Sequence, residues 1–200
     1  SQTNCERALG STKATVSNHL EALQEANLVH LVRPFQRTGK KSLKSPPKVY
    51  LVDAALCNSI LRKGEEVLSD PDEMGLIVET CVLRHLISHY AGQSARITYW
   101  QGKRRRKEVD FVVRTPRANI PVEVKYRSQA GIDRRSGMAA FCEEHKPESG
   151  FWITRREEDL DVEPTGEAAT KLLRIPAHIF TYLLGQTERM RWRSRKKGTD

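Results

Sequence analysis

Two short segments carry acidic and basic side chains in a pattern that can do chemistry. They are Glu108-Val109-Asp110-Phe111-Val112-Val113 and, after six intervening residues, Ile120-Pro121-Val122-Glu123-Val124-Lys125. Folded as a hairpin with Val113 opposite Ile120, they place Phe111 across from Val122 and Val109 across from Val124, an apolar face that must be core. The other face then sets Asp110 opposite Glu123 and Glu108 opposite Lys125. Cross-strand Cβ atoms stand about 4.5–5.5 Å apart, and like charges at that separation destabilise a sheet unless something neutralises them. A divalent cation does so, and Mg²⁺ commonly takes one or two carboxylates while keeping waters. Lys125 shares the face of Glu123 about 6–7 Å along the strand. There it can orient a metal-bound water or stabilise charge developing on a phosphate. The competing reading is an exposed charged face with ordinary ion pairs. The flanking apolar alternation and the acid set against an acid favour the metal site.

The surrounding chain predicts an α/β scaffold for this hairpin. A helix over residues 74–90 presents Met74, Ile77, Val78, Cys81, Val82 and Leu86 as one stripe. Strands are expected at 97–100, 109–113, 120–124 and 151–154, with a short helix from Ser136 to His145 before the last of them. A helix between the strands at 120 and 151 implies a parallel crossover. Pro176 and Gly185 bracket a final helix, followed by a basic tail. Upstream, Ser11 or Thr12 caps a helix with Val16, Leu20 and Leu23 on one side, followed by a strand at 28–32, a basic loop at 33–48 and a returning strand at 49–52. Helix, strand, basic wing, strand is the second half of a winged helix. Only about ten residues precede that helix, so the winged helix reads as truncated. The charged stretch 63–71 is the expected boundary, giving a partial winged helix at 1–63, an α/β domain at 64–185 and a tail at 186–200.

The formal net charge is +9, and its distribution matters more than its size. Residues 1–64 hold 10 basic and 4 acidic side chains, 65–188 hold 18 and 20, and 189–200 hold 6 and 1. Basic ends around a slightly acidic centre point to nucleic-acid backbone as partner, with Lys40, Lys41 and Lys44 in the wing and Arg104 and Arg105 in the run 103–107 as contacts. The longest uncharged apolar-rich run, 54–61, is far too short to span a membrane. With no signal-peptide pattern, the expected location is cytoplasmic. Four widely spaced cysteines without a C-x-x-C pair argue against a zinc ribbon or disulfide framework. Cys81, His85 and His89 recur every fourth residue, but as three residues flanking an apolar stripe they read as core edge rather than zinc ligands. Trp192 could stack on a base, although a tail tryptophan needs no such role.

The order of a helix glutamate, Glu79 in Gly75-Leu76-Ile77-Val78-Glu79, then Asp110, then Glu123-Val124-Lys125 resembles the PD-(D/E)XK nuclease superfamily, with its restriction-endonuclease-like mixed sheet flanked by helices. More narrowly, the chain resembles the uncharacterised C-terminal domain of predicted prokaryotic AAA-type ATPases. The matching segments are Thr15 to Leu20, Lys48 to Asp53, Gly75 to Glu79, Glu108 to Val112, Val122 to Tyr126 and Ile175 to Gly185. That resemblance implies a missing N-terminal ATPase domain in the same polypeptide. No G-x-x-x-x-G-K-[ST] is present, so no ATP site belongs to this chain. It further implies Mg²⁺ or Mn²⁺ held by Asp110 and Glu123, with the Val124 carbonyl and with Glu79 directly or through water, and Lys125 positioning the attacking water. The implied reaction is phosphodiester hydrolysis, most naturally of DNA. The alternative is an inactive nucleic-acid-binding or regulatory module on the same fold, because function resides in the site and not in the fold.

Overall fold

The computed structural model describes residues 2–35, 45–102, 107–127, 136–165 and 170–197. Lys40, Lys41, Lys44, Arg104 and Arg105 lie outside the described residues. Two helices open the chain, α1 (Gln2–Leu9) and α2 (Lys13–Glu25). Thr12 caps α2 by accepting the Thr15 N–H, and Val16 and Leu20 are buried. Leu23, expected on the same stripe, is 39% exposed. Helix α1 and β1 pack against this helix, and they cover Val16 and Leu20 but not Leu23. Asn27, at a left-handed φ of 56°, turns the chain into β1 (Val29–Pro34), which pairs antiparallel with β2 (Lys48–Leu51), Val32 opposite Lys48 and His30 opposite Tyr50.

A short helix α3 (Ala54–Ile60) and a 3₁₀ turn lead to α4 (Pro71–Tyr90). Proline at its first position and Asp70, accepting the Asp72 and Glu73 N–H groups, start α4. Then come β3 (Arg96–Gln101), β4 (Glu108–Arg114), β5 (Asn119–Val124), α5 (Gly137–His145), β6 (Ser149–Thr154), β7 (Asp161–Thr165), β8 (Thr170–Pro176) and α6 (Ala177–Lys197). The eight strands form one mixed sheet in the order β2-β1-β3-β4-β5-β6-β8-β7. As the intervening helix implied, β5 and β6 are parallel. The sheet is covered on both faces. Val82, Leu83 and Leu86 of α4 and Phe180 of α6 pack with Phe111, Val113, Val122 and Ile153 on one. Met138, Phe141 and Cys142 of α5 pack with Val109, Val112, Trp152 and Leu172 on the other.

The N-terminal hairpin joins this sheet through a narrow seam. β1 meets β3 in parallel only at Arg33–Thr98 and Pro34–Tyr99, with the Phe35 N–H donating to the Tyr99 carbonyl at 2.6 Å. Tyr50 of β2 packs on Phe111, ring centroids 5.7 Å apart. The stretches on either side of residue 63 therefore share one sheet. Among the described residues no helix is long and apolar enough to cross a membrane.

Two readings of the C-terminal third change. Thr170 to Pro176 is an inner strand that the spacing had not shown, and Pro176 ends it immediately before α6 begins at Ala177. Helix α6 also runs through Gly185 to Lys197 in place of a helix ending at that glycine. The continuation is held on α4: Ser88 Oγ donates to the Glu188 carboxylate at 3.0 Å, and Arg191 Nη1 donates to the His89 carbonyl at 3.1 Å. His89 Nδ1 lies 3.0 Å from Thr187 Oγ1, and His85 Nδ1 meets the Cys81 carbonyl at 2.8 Å, so both rings serve packing on and between helices. A methyl group at Gly185 would have nothing within 4 Å. Gly185→Ala is therefore expected to stabilise the chain by about 1 kcal/mol through helix propensity. A glycine ending the helix at positive φ would give the opposite sign, so urea unfolding distinguishes the two.

Candidate active site

A β-bulge builds the site. Thr98 of β3 lies opposite Val112 of β4, but Trp100 lies opposite Val109, so β4 carries one extra residue. Asp110 and Phe111 together oppose Tyr99, and Val109 turns into the core of Val112 instead of that of Phe111. The expected pairing of Val113 with Ile120 and Phe111 with Val122 holds, but the ladder stops there. The further pairs, Val109 with Val124, Asp110 with Glu123 and Glu108 with Lys125, do not form. At the point where they would begin, Asp110 Oδ2 accepts the Val124 N–H at 2.9 Å. The two carboxylates thus do not face each other on an open surface. Asp110 stands at the strand ends, whereas Glu123 alternates onto the Trp152 side of β5 and is 3% exposed.

A cavity of about 200 Å³ opens between α4 and the ends of β4 and β5, lined by Gly75, Leu76 and Glu79 of α4 together with Asp110, Val124 and Lys125. Three of the four expected site residues share this wall. Glu123 stands behind it, joined to it by Lys125, whose Nζ lies 2.7 Å from Glu123 Oε1. Arg127 at the rim pairs with Asp72 at 3.6 Å. Among the described residues no three His, Cys, Asp or Glu side chains converge tightly enough to form a ready metal cage.

The N-terminal hairpin reaches the same place. Lys48 Nζ lies 2.6 Å from Glu108 Oε1, 3.3 Å from Asp110 Oδ1 and 3.5 Å from Glu79 Oε1. Tyr50, two residues along β2 and so on the same face, donates its hydroxyl to Glu79 Oε1 at 2.5 Å. Burial opposes the charge on Lys48, but Asp110, Glu79 and Glu108 together hold its pKa above the ordinary lysine value. Burial first and the Asp110 charge second raise the Glu79 carboxyl. Burial, then Asp110, pushes Glu123 up to about 8 against the pull of Lys125.

The pH dependence of folding follows from Glu123. Below the unfolded value of about 4.3 the carboxyl is protonated in both states and makes no difference. As pH rises from there to about 8, only the folded chain keeps the proton, so stability falls across this window. The urea midpoint of the metal-free chain should drop between about pH 5 and pH 8 more steeply than that of Glu123→Gln. Parallel slopes would remove Glu123 as the cause.

Residues 74–176, just over half of the chain, match the family model described as a domain of unknown function, DUF4143. The chain belongs to the DUF4143 family. DUF4143 domains occur at the C-termini of AAA-type ATPase-like proteins. Residues 1–67 match a second domain of unknown function, DUF8612. No curated protein and no solved structure gives a significant match. Glu79, Asp110, Glu123 and Lys125 all fall inside the DUF4143 match, whereas Lys48 and Tyr50 fall inside the DUF8612 match. The cluster is therefore composite, with DUF4143 carboxylates around a lysine from the preceding segment.

Lys48 and Tyr50 are what sequence reasoning missed. Lys48 closes the expected basic loop 33–48, and the expected hairpin sets Glu108 opposite Lys125 instead. The available signal was the Lys48-Val49-Tyr50 alternation, which puts a cation and a hydroxyl on one strand face. Nothing local says that DUF4143 carboxylates face it.

Proposed function

We propose that the DUF4143 portion is a metal-dependent nuclease domain of the PD-(D/E)XK type, with a restriction-endonuclease-like fold. On this reading it hydrolyses nucleic-acid phosphodiesters, DNA first among them, as the C-terminal part of a larger AAA-type ATPase, and a partial winged helix precedes it. The observation that carries the reading is the cavity where Glu79, Asp110 and Lys125 meet at the ends of β4 and β5. The donor set suits a hard divalent cation. Four carboxylates, Glu79, Glu108, Asp110 and Glu123, are met by two ammonium groups, Lys48 and Lys125. Glu123 Oε2 is buried without a hydrogen-bond partner among the described residues. All donors are oxygens, the ligands that Mg²⁺ and Mn²⁺ take.

Asp110 and Glu123 would hold the ion, aided by the Val124 carbonyl and by Glu79 directly or through water. When bound, the cation supplies positive charge for the transition state and lowers the pKa of a water. Lys125, held by Glu123, orients the attacking water and faces charge developing on the phosphate. The basic segments around residues 40 and 104 and beyond 189 supply backbone contacts for the nucleic acid.

One observation favours a second reading, a catalytically inactive nucleic-acid-binding or regulatory module: Lys48 already places a positive charge among three carboxylates. Titration of Mg²⁺ and Mn²⁺ with labelled single-stranded, duplex and branched DNA and RNA separates the two. Metal-dependent cleavage of any substrate supports the nuclease. No cleavage, with nucleic-acid binding that survives Asp110→Ala and Lys125→Ala but weakens on neutralising Lys40, Lys41 and Lys44, supports the module.

A further inference from the structure

We propose that Lys48 is a resident cation of the DUF4143 site that a divalent ion must displace, so that metal loading is coupled to the position of the N-terminal hairpin. The inference rests on the metal-dependent reading above and adds to it a built-in competitor.

The geometry is specific. The three contacts of Lys48 converge on Glu79 Oε1, Glu108 Oε1 and Asp110 Oδ1, and two of these residues, Asp110 and Glu79, are among those that would hold the ion. The other oxygen of Asp110 accepts the Val124 N–H. Asp110 thus has a partner on each oxygen, and an ion arriving at Oδ1 competes with Lys48 for it. Lys48 and a divalent ion at that place would stand within a few ångströms of each other, where like charges repel strongly in a partly buried site. The lysine side chain is 22% exposed, which gives it a way out to water.

The hairpin is attached in a way that permits such movement. Its backbone seam with the main sheet is the two-residue pairing of Arg33 and Pro34 with Thr98 and Tyr99, so a shift of β2 leaves the ladders from β3 to β8 intact and works against the packing of Val32 and Tyr50 in the core of Phe111. At the site it is tethered by Lys48 itself, by the Tyr50 hydroxyl on Glu79, and by the Tyr99 hydroxyl on the Pro46 carbonyl at 2.8 Å. Two of those tethers end on carboxylates a metal would recruit or on their immediate partners. Occupying the site with metal therefore loosens the polar hold on β2 at Lys48 and at Tyr50 together.

The test is Mn²⁺ binding to the 200-residue chain, followed by calorimetry and by electron paramagnetic resonance of the free ion. Lys48→Met should tighten the Mn²⁺ Kd about tenfold or more, and Lys48→Arg, which keeps the charge, should leave it near the wild-type value. In the wild-type chain, saturating Mn²⁺ should speed amide exchange at Val49, Tyr50 and Leu51. Unchanged or weaker binding in Lys48→Met, with normal binding in the wild type, overturns the competitor and leaves the metal site standing. No Mn²⁺ binding by either chain overturns both. If Lys48→Met alone does not fold, Lys48→Met with Glu108→Gln removes one carboxylate along with the ammonium. That pair is compared with Glu108→Gln, and the same tenfold gain is required.

Discussion

On the nuclease reading proposed above, Asp110→Asn is expected to lower metal-dependent cleavage by about a thousandfold, the loss that follows when a ligand or preorganised charge at the reacting centre is removed. The fold should survive, because the asparagine carbonyl can still accept the Val124 N–H that ties β4 to β5 at 2.9 Å in the native chain. What disappears is the negative charge. After burial, the Asp110 charge is what raises the Glu79 and Glu123 carboxyls, so its neutralisation lowers both. It also removes one of the three partners of Lys48. These changes oppose each other, and stability should stay within about 1 kcal/mol of wild type. Single-turnover cleavage beside urea unfolding measures both quantities. Full activity in a folded Asp110→Asn chain would reject the metal-ligand role of this residue.

The second large effect is structural and lies next to the same strand. A methyl group at Gly137 would fall 1.8 Å from the Glu108 carbonyl oxygen and 2.5 Å from the Glu108 nitrogen. Backbone cannot move aside as a flexible side chain does, so Gly137→Ala must lift the start of α5 from β4. That opens the core of Met138, Phe141 and Cys142, all fully buried. It also disturbs the cap in which Ser136 accepts the Ala139 N–H. The expected cost is about 3 kcal/mol. Gly75→Ala, also at the site but with nothing within 4 Å of the added methyl group, is the control and should stabilise by up to about 1 kcal/mol. Urea denaturation of the two variants should move the midpoint in opposite directions. Because Glu108 begins the bulged strand, Gly137→Ala should also weaken Mn²⁺ binding, whereas Gly75→Ala should not.

Much of the fold was legible because its signals are local. The alternation through Phe111, Val113, Ile120 and Val122 set the hairpin register, and the β4–β5 ladder follows it. Apolar spacing found α4, with Val82 and Leu86 buried as read; Thr12, one of the two expected caps, caps α2, and α5 starts directly after Ser136, within one residue of its expected start. The C-terminal third misled for a physical reason. Thr170 to Pro176 contains two lysine or arginine side chains among apolar ones, and its place between β6 and β7 comes from neighbours far along the chain. Gly185 carries a helix-ending residue type, yet the docking of Glu188 and Arg191 on α4 carries the helix past it.

For the site, local patterns show which residue types are available and roughly where: one glutamate on a helix, one aspartate on a strand, and Glu123 with Lys125 on the next. The tertiary structure decided how they meet. An unbulged strand and a bulged one share the same alternation over Glu108 to Val113, and only the pairing with β3 distinguishes them. That one extra residue swings Asp110 to the side of Glu79 while Glu123 stays buried behind Lys125. Lys48 reaches the carboxylates from 31 to 62 positions away in sequence, a distance no local pattern spans. Residue identity fixes the charges, but the bulge and the long-range packing of the hairpin fix which charges face one another.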